Sequence, residues 1–150
     1  SSPSHGYAAI FNLSNDGNTL SIVQSCDSFL RFPTTVSKFT VAYDSVSGYY
    51  VSVVNVFTEE CGWFFARNVA GLAVSRDLIN WEIKDILLTQ RDLMNPRLSG
   101  EAHAHQYPQF VIDGDDMIMV VREATGFTNV FHDGKYCSFY RLNNFRSLIN

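Results

Sequence analysis

Along most of this chain apolar and polar positions alternate with a period of two, and short polar clusters interrupt the alternation. "TLSIVQS" (19–25) and "KFTVAYD" (38–44) alternate, and "YYVSVVN" (49–55) is a β-branched and aromatic run. "GLAVS" (71–75), "WEIKDILL" (81–88), "HQYPQFVI" (105–112), "DMIMVV" (116–121), "YCSFYRL" (136–142) and "FRSLI" (145–149) complete the predicted strands. The breaks carry turn chemistry: "DSVSG", "RDLIN", "DGD" and "NN" each offer Asp, Asn or Gly where a tight connection needs them. No amphipathic helix longer than a turn or two is expected.

The strands recur in sets. Four run from Lys38 to Leu88, and four more follow the same pattern at an offset of about 68 residues. A partial copy, "TLSIVQSCDSFLRF", reads as a third strand, turn and fourth strand ahead of both. The expected fold is all-β, with β-propeller blades of four antiparallel strands and about two and a half blades in an open ring. The organisation predicted is a partial blade over 1–37, a blade over 38–88, a connecting loop over 89–105 and a blade over 106–150.

Each corner between third and fourth strand has one form: "SCDSFLRF", "SRDLINWEI", "RLNNFRSL". An Asp or Asn follows the third strand and an aromatic opens the fourth. The side-chain oxygen caps the turn amides, and the aromatic fills the gap to the neighbouring blade. Asp77 and Trp81 are thus expected to be architectural.

Composition narrows the class. The chain has 12 Phe, 7 Tyr and 2 Trp in 150 residues, an aromatic load that favours strands. A net charge of -4 without a basic run argues against nucleic acid or an anionic membrane as partner. No apolar stretch approaches the ~20 residues of a spanning helix. Cys26, Cys61 and Cys137 are widely spaced; three buried thiols is the plainer reading, and one disulfide with a free thiol the other. "NLS" at Asn12 fits a glycosylation acceptor. "SSPSHGYAAIF" has no signal-peptide character and reads as a cut point or a processed end. The compartment stays open, a secreted or periplasmic one included.

In antiparallel blades the short turns fall on one face and the remaining connections on the other. Here the long segments, Val56–Ala70, Thr89–Ala104 and Glu123–Lys135, all fall on one side, where binding groups gather on rigid scaffolds. They carry Trp63, Arg67, Glu101, His103, His132 and Asp133, with His105, Gln106, Arg122 and Glu123 at their margins. Aromatic rings among carboxylates and planar donors suit a sugar, whose apolar face stacks while its hydroxyls are hydrogen-bonded.

Together "AVSRDLINWEI", "HQYPQF", "IDGDDMIMVVRE" and "HDGKYCSFYRLNNFRSL" resemble the sialidase-like and arabinanase-like β-propeller glycoside hydrolases over roughly residues 38–150. The resemblance implies an Asp-box-type corner at Ser75–Trp81, although "LIN" stands where the sialidase box usually has Gly and Thr. It also implies a ring of about five or six blades, the rest supplied by a longer chain or a homo-oligomer. A sialidase would further need three arginines around a carboxylate and a Tyr nucleophile with a Glu partner. Only Arg122 matches one of these in the sequence.

Cleaving a glycosidic bond takes two carboxyl groups, one held protonated as acid and one ionised. Glu101, after Gly100, is the first candidate; Asp133 in "FHDGKY" is the second, and is equally a turn former. Trp63, His103, His105, Arg122, Glu123 and His132 are the candidate substrate-binding residues. Glu123 is read as an ion-pair partner of Arg122, and Arg122 as ligand-facing or paired. His103 and His105 share a face, but spacing places no further ligand for a metal, so neither metal nor cofactor is expected. "DGDD" reads as a hairpin, and no P-loop, G-x-G-x-x-G or G-x-S-x-G occurs. The expected function is glycoside hydrolysis on a carbohydrate substrate. The alternatives are a non-catalytic carbohydrate-binding propeller and a protein-interaction platform using "GWFF".

Overall fold

A computed structural model describes residues 6–22, 28–34, 37–56, 67–89, 104–124 and 134–149. They form eleven strands and one short 3-10 turn, and every strand pairing is antiparallel. The all-β expectation holds in that form: several antiparallel sheets, none closed on itself among the described residues.

The four-stranded sheet follows chain order: β5 (Val41–Asp44), β6 (Tyr49–Asn55), β7 (Val69–Ser75) and β8 (Trp81–Thr89). Its central strands are buried along nearly their whole length, which explains why "YYVSVVN" and "VAGLAVS" are apolar without alternation. The three-stranded sheet places β10 (Asp116–Ala124) between β9 (Ala104–Asp113) and β11 (Tyr136–Leu142). Both expected hairpins form. Asp44 pairs with Tyr49 around a turn closed by Gly48, at φ 71°. Asp113 pairs with Asp116 around Gly114, at φ 62°.

One apolar core joins the two sheets. Val51, Val53, Leu72 and Val74 of the first meet Phe110, Met117, Met119 and Val121 of the second, with Phe145 and Ile149 completing the cluster. Each fully buried side chain of this kind contributes roughly 1.5–3 kcal/mol.

Two expectations are corrected. The stretch "FRSLI" is no strand: Phe145–Leu148 is a 3-10 turn entered through Asn144 in the left-handed region. Phe145 turns fully into the core and Arg146 reaches across to Asp44, which takes the backbone off the sheet edge. A short apolar run cannot distinguish these outcomes by periodicity. In the partial copy, β3 (Leu20–Ile22) and β4 (Phe29–Phe32) do not pair with each other as third and fourth strands. β3 pairs with β2 (Phe11–Leu13) and β4 with β1 (Gly6–Ala9), as two separate two-stranded antiparallel sheets. The strands 6–9 and 11–13 supply the pairing partners that the partial-copy reading did not consider.

The corner after β7 has the expected architecture. The Asp77 carboxylate accepts from the backbone N–H of Ile79 and Asn80 at 2.8 and 2.7 Å and from the Asn80 side chain at 2.7 Å. These donors hold the Asp77 carboxyl well below the usual carboxylate range. Leu78 takes φ 65°, and its carbonyl accepts from Trp81 Nε1 at 2.9 Å. The Trp81 ring meets Phe32 of β4 edge-on, with centroids 4.9 Å apart, so this corner fastens the β1–β4 pair to the four-stranded sheet. Asp77→Ala is expected to lower the thermal midpoint and Asp77→Asn to lower it less, because Asn keeps one acceptor; equal midpoints for both variants and the parent would show the turn to be self-sufficient.

Cys137 on β11 is an exposed free thiol, against the expectation of three buried ones; it faces outward beside Arg122's register position. Cys26 and Cys61 lie outside the described residues.

Candidate functional site

Sheet polarity gathers the long connections. Asn55 ends β6 and Val69 begins β7; Thr89 ends β8 and Ala104 begins β9; Ala124 ends β10 and Tyr136 begins β11. Cross-strand pairs Asn55–Ala70, Val69–Thr89, Ala104–Ala124 and Glu123–Tyr136 put these termini at one end of each sheet. Direct bonds join the two ends. The His105 N–H donates to the Arg67 carbonyl at 2.7 Å, and Asn55 Nδ2 donates to the His105 carbonyl at 2.7 Å. The same Asn55 amide reaches the Arg67 and Val69 carbonyls at 3.4 and 3.3 Å.

A bulge shapes the next layer. Val120 pairs with Gln109 but Arg122 with Gln106, so Tyr107 and Pro108 together face Val121. Tyr107 takes φ 52°, a left-handed conformation costing a non-glycine residue about 1 kcal/mol. Bulges re-aim side chains, and this one brings the Tyr107 ring among three cations. Lys38 Nζ, Arg67 Cζ and Arg122 Cζ lie 5.4, 5.1 and 5.9 Å from its centroid, within cation–π range. Arg67 Nη1 also donates to the Tyr107 hydroxyl at 2.9 Å and to Gln106 Oε1 at 3.2 Å. That bond orients the fully buried Gln106 amide, whose Nε2 has no partner among the described residues. Asn55 Oδ1 is likewise without one. Arg122 runs directly over Gly134, where a Cβ would come within 2.3 Å of its Nε; the glycine makes the room.

No protein-family model, curated protein or solved structure matches this chain. Its own groups must therefore carry the chemical reading.

Beside the cations lies a second cluster with different character. The Glu123 carboxylate meets His105 Nδ1 at 2.7 Å, the Tyr140 hydroxyl at 2.6 Å and the Ser138 hydroxyl at 2.5 Å. Burial pushes the Glu123 carboxyl up, but the bonds from Ser138, Tyr140 and His105 outweigh it and hold the group below its ordinary value. Burial, reinforced by the bond to Glu123, pushes the Tyr140 phenol up to about 12. Glu123 is thus an ionised acceptor and Tyr140 a neutral donor. Neither has the tuning of a general acid or of a phenolate nucleophile.

Of the sequence candidates, His105, Arg122 and Glu123 come together at this end. Trp63, Glu101, His103, His132 and Asp133 lie outside the described residues. Glu123 corrects its expected pairing. Successive strand residues face opposite sides, so its carboxylate joins its cross-strand neighbours on the face of Met119 and Val121 and not its chain neighbour Arg122. Sequence reasoning passed over Lys38, Asn55, Tyr107, Ser138 and Tyr140, and noted Arg67 and Gln106 at the long segments without giving either a role of its own. One signal was available: Asn55 closes a run of buried apolar residues, where an amide needs partners. Among the described residues no three His, Cys, Asp or Glu side chains gather as a metal site.

Proposed function

We propose that this chain forms blades of a sialidase-like or arabinanase-like β-propeller, and that the end carrying its long connections binds and hydrolyses a glycan. The observation that carries the reading is the convergence of Arg67, Gln106, Tyr107 and Arg122 at that end, across two sheets. An aromatic ring flanked by planar donors matches the mixed apolar and hydroxyl surface of a sugar. The meander of β5–β8 and the Asp77–Trp81 corner support the propeller part. Two arginines and a lysine around Tyr107 stand in place of the three arginines that the sialidase resemblance implies, and favour a glycan bearing acceptor oxygens over one rich in cations.

In this reading Glu101 and Asp133 are the catalytic carboxyl pair, with His103, His132 and Trp63 in the binding surface. Glu101→Gln in the full chain is expected to abolish release of reducing sugar from an oligosaccharide panel while glycan binding persists. Unchanged turnover in that variant would remove the assignment.

A second reading, carbohydrate binding without cleavage, draws on one specific observation. The described carboxylate at this end, Glu123, is held ionised by three donors and cannot serve as the acid. Binding by the parent chain with no sugar released at any pH would favour it.

A further inference from the structure

We propose that Asn12 carries an N-linked oligosaccharide, as the acceptor in the triplet Asn12-Leu13-Ser14; the inference is independent of the hydrolytic reading. Nowhere else in the sequence is Asn followed two positions later by Ser or Thr. A triplet can be an acceptor only where the fold has room for a bulky polar group. Other asparagines are already in use. The buried Asn55 amide donates to three carbonyls, and Asn18 and Asn80 hold turns through Asp16 at 3.2 Å and Asp77 at 2.7 Å.

Asn12 differs from all three. It lies in the middle of β2, paired with Ser21 of β3. Phe11 pairs with Ile22 and Leu13 with Leu20, so strand alternation gives this small sheet one apolar and one polar face. Asn12 and Ser21 share the polar one. Every residue of both strands is exposed, and among the described residues Asn12 Nδ2 donates to no group. A sugar chain therefore leaves from the polar face into solvent, away from Phe11, Leu13, Leu20 and Ile22. A hydrophilic group there keeps in solution a sheet whose other face is exposed and apolar.

Ser14 sets the order of events. Its hydroxyl donates to Asp16 Oδ1 at 2.5 Å and accepts from the Thr19 N–H at 2.9 Å. The hydroxyl that completes the triplet is thus committed to the turn once β2 and β3 pair, and the transfer belongs to the extended chain. The donor is an oligosaccharide joined through its anomeric carbon to a lipid diphosphate. Asn12 Nδ2 forms a bond to that carbon and gives up one proton to a base of the transferase. The carbon–oxygen bond to the diphosphate breaks, and its electron pair stays with the diphosphate. Nothing is oxidised or reduced.

The test is mass spectrometry of the full chain purified from the cells that make it. Samples are compared before and after an amidase that releases N-linked sugar and converts the sugar-bearing Asn to Asp. The peptide containing Asn12 is expected to carry an N-acetylhexosamine-based sugar chain and to show that conversion after treatment. Asn12→Gln made in the same cells should lose the sugar entirely, and Ser14→Thr, which keeps the hydroxyl, should retain it. An unmodified Asn12 peptide in the parent protein, or sugar still present on Asn12→Gln, overturns the assignment.

Discussion

Glu123→Ala should destabilise the fold by about 3 kcal/mol, read as a lower urea midpoint, because it removes the one acceptor shared by three inward donors. The side chain is only 11% exposed, so water cannot replace the carboxylate for His105 Nδ1 and for the Ser138 and Tyr140 hydroxyls. Glu123→Gln keeps the volume and one acceptor oxygen but turns an amide donor toward other donors, and should fall between the two. The pH dependence has a definite sign. Folding lowers the Glu123 carboxyl from its ordinary value near 4.5. Its contribution is therefore complete at neutral pH, begins to fade as pH falls below that ordinary value, and is gone once pH has passed through the lowered one. The gap between parent and Glu123→Ala should hold steady from about pH 8 to 6 and narrow below about pH 4. A gap that widened on acidification, or a loss under about 1 kcal/mol, would mean that the carboxylate is not the hub of the network.

Glu123 also marks where sequence reasoning stopped. Strand alternation and turn residues located most strands between Val41 and Leu142, because a period of two and the left-handed glycines at 48 and 114 are local properties. The common end of the long connections followed from antiparallel order alone. What did not follow were contacts set by tertiary pairing. The bulge that swings Tyr107 among its cations exists only where β9 meets β10, and nothing in "HQYPQF" announces which partner residue is skipped. Asn55 and His105 stand 50 positions apart, so the bond joining the two sheets had no local signature. The two small sheets before Val41 were half legible: "TLSIVQS" alternates visibly, while the short strands 6–9 and 11–13 fall below the length at which alternation is informative.

Arg146→Ala should have a comparable effect, about 3 kcal/mol, through the opposite end of the molecule. There the short turns meet. Arg146 donates through Nε and Nη2 to both oxygens of Asp44, at 2.8 Å each, and through Nη1 to the Gly114 carbonyl at 3.1 Å. The fork thus ties the β5–β6 turn to the β9–β10 turn, and Arg146 itself lies 102 positions from Asp44. Its second carboxylate, Asp115, is 85% exposed and adds little. Asp44 is the decisive partner because it is 3% exposed: without the guanidinium it keeps only the turn amides of Ser47 and Val46 against the cost of a buried charge. Arg146→Lys retains the charge but not the two parallel bonds, and should recover only part of the loss. The Arg146 bond is the main reason the Asp44 carboxyl lies well below the usual range, so the pair stabilises fully above about pH 4 and weakens as pH falls further. In a double-mutant cycle Asp44→Asn and Arg146→Ala should be strongly non-additive. Additive losses would show two independent turn contacts, and the claim that this ion pair locks the two sheets at their short-turn end would fall.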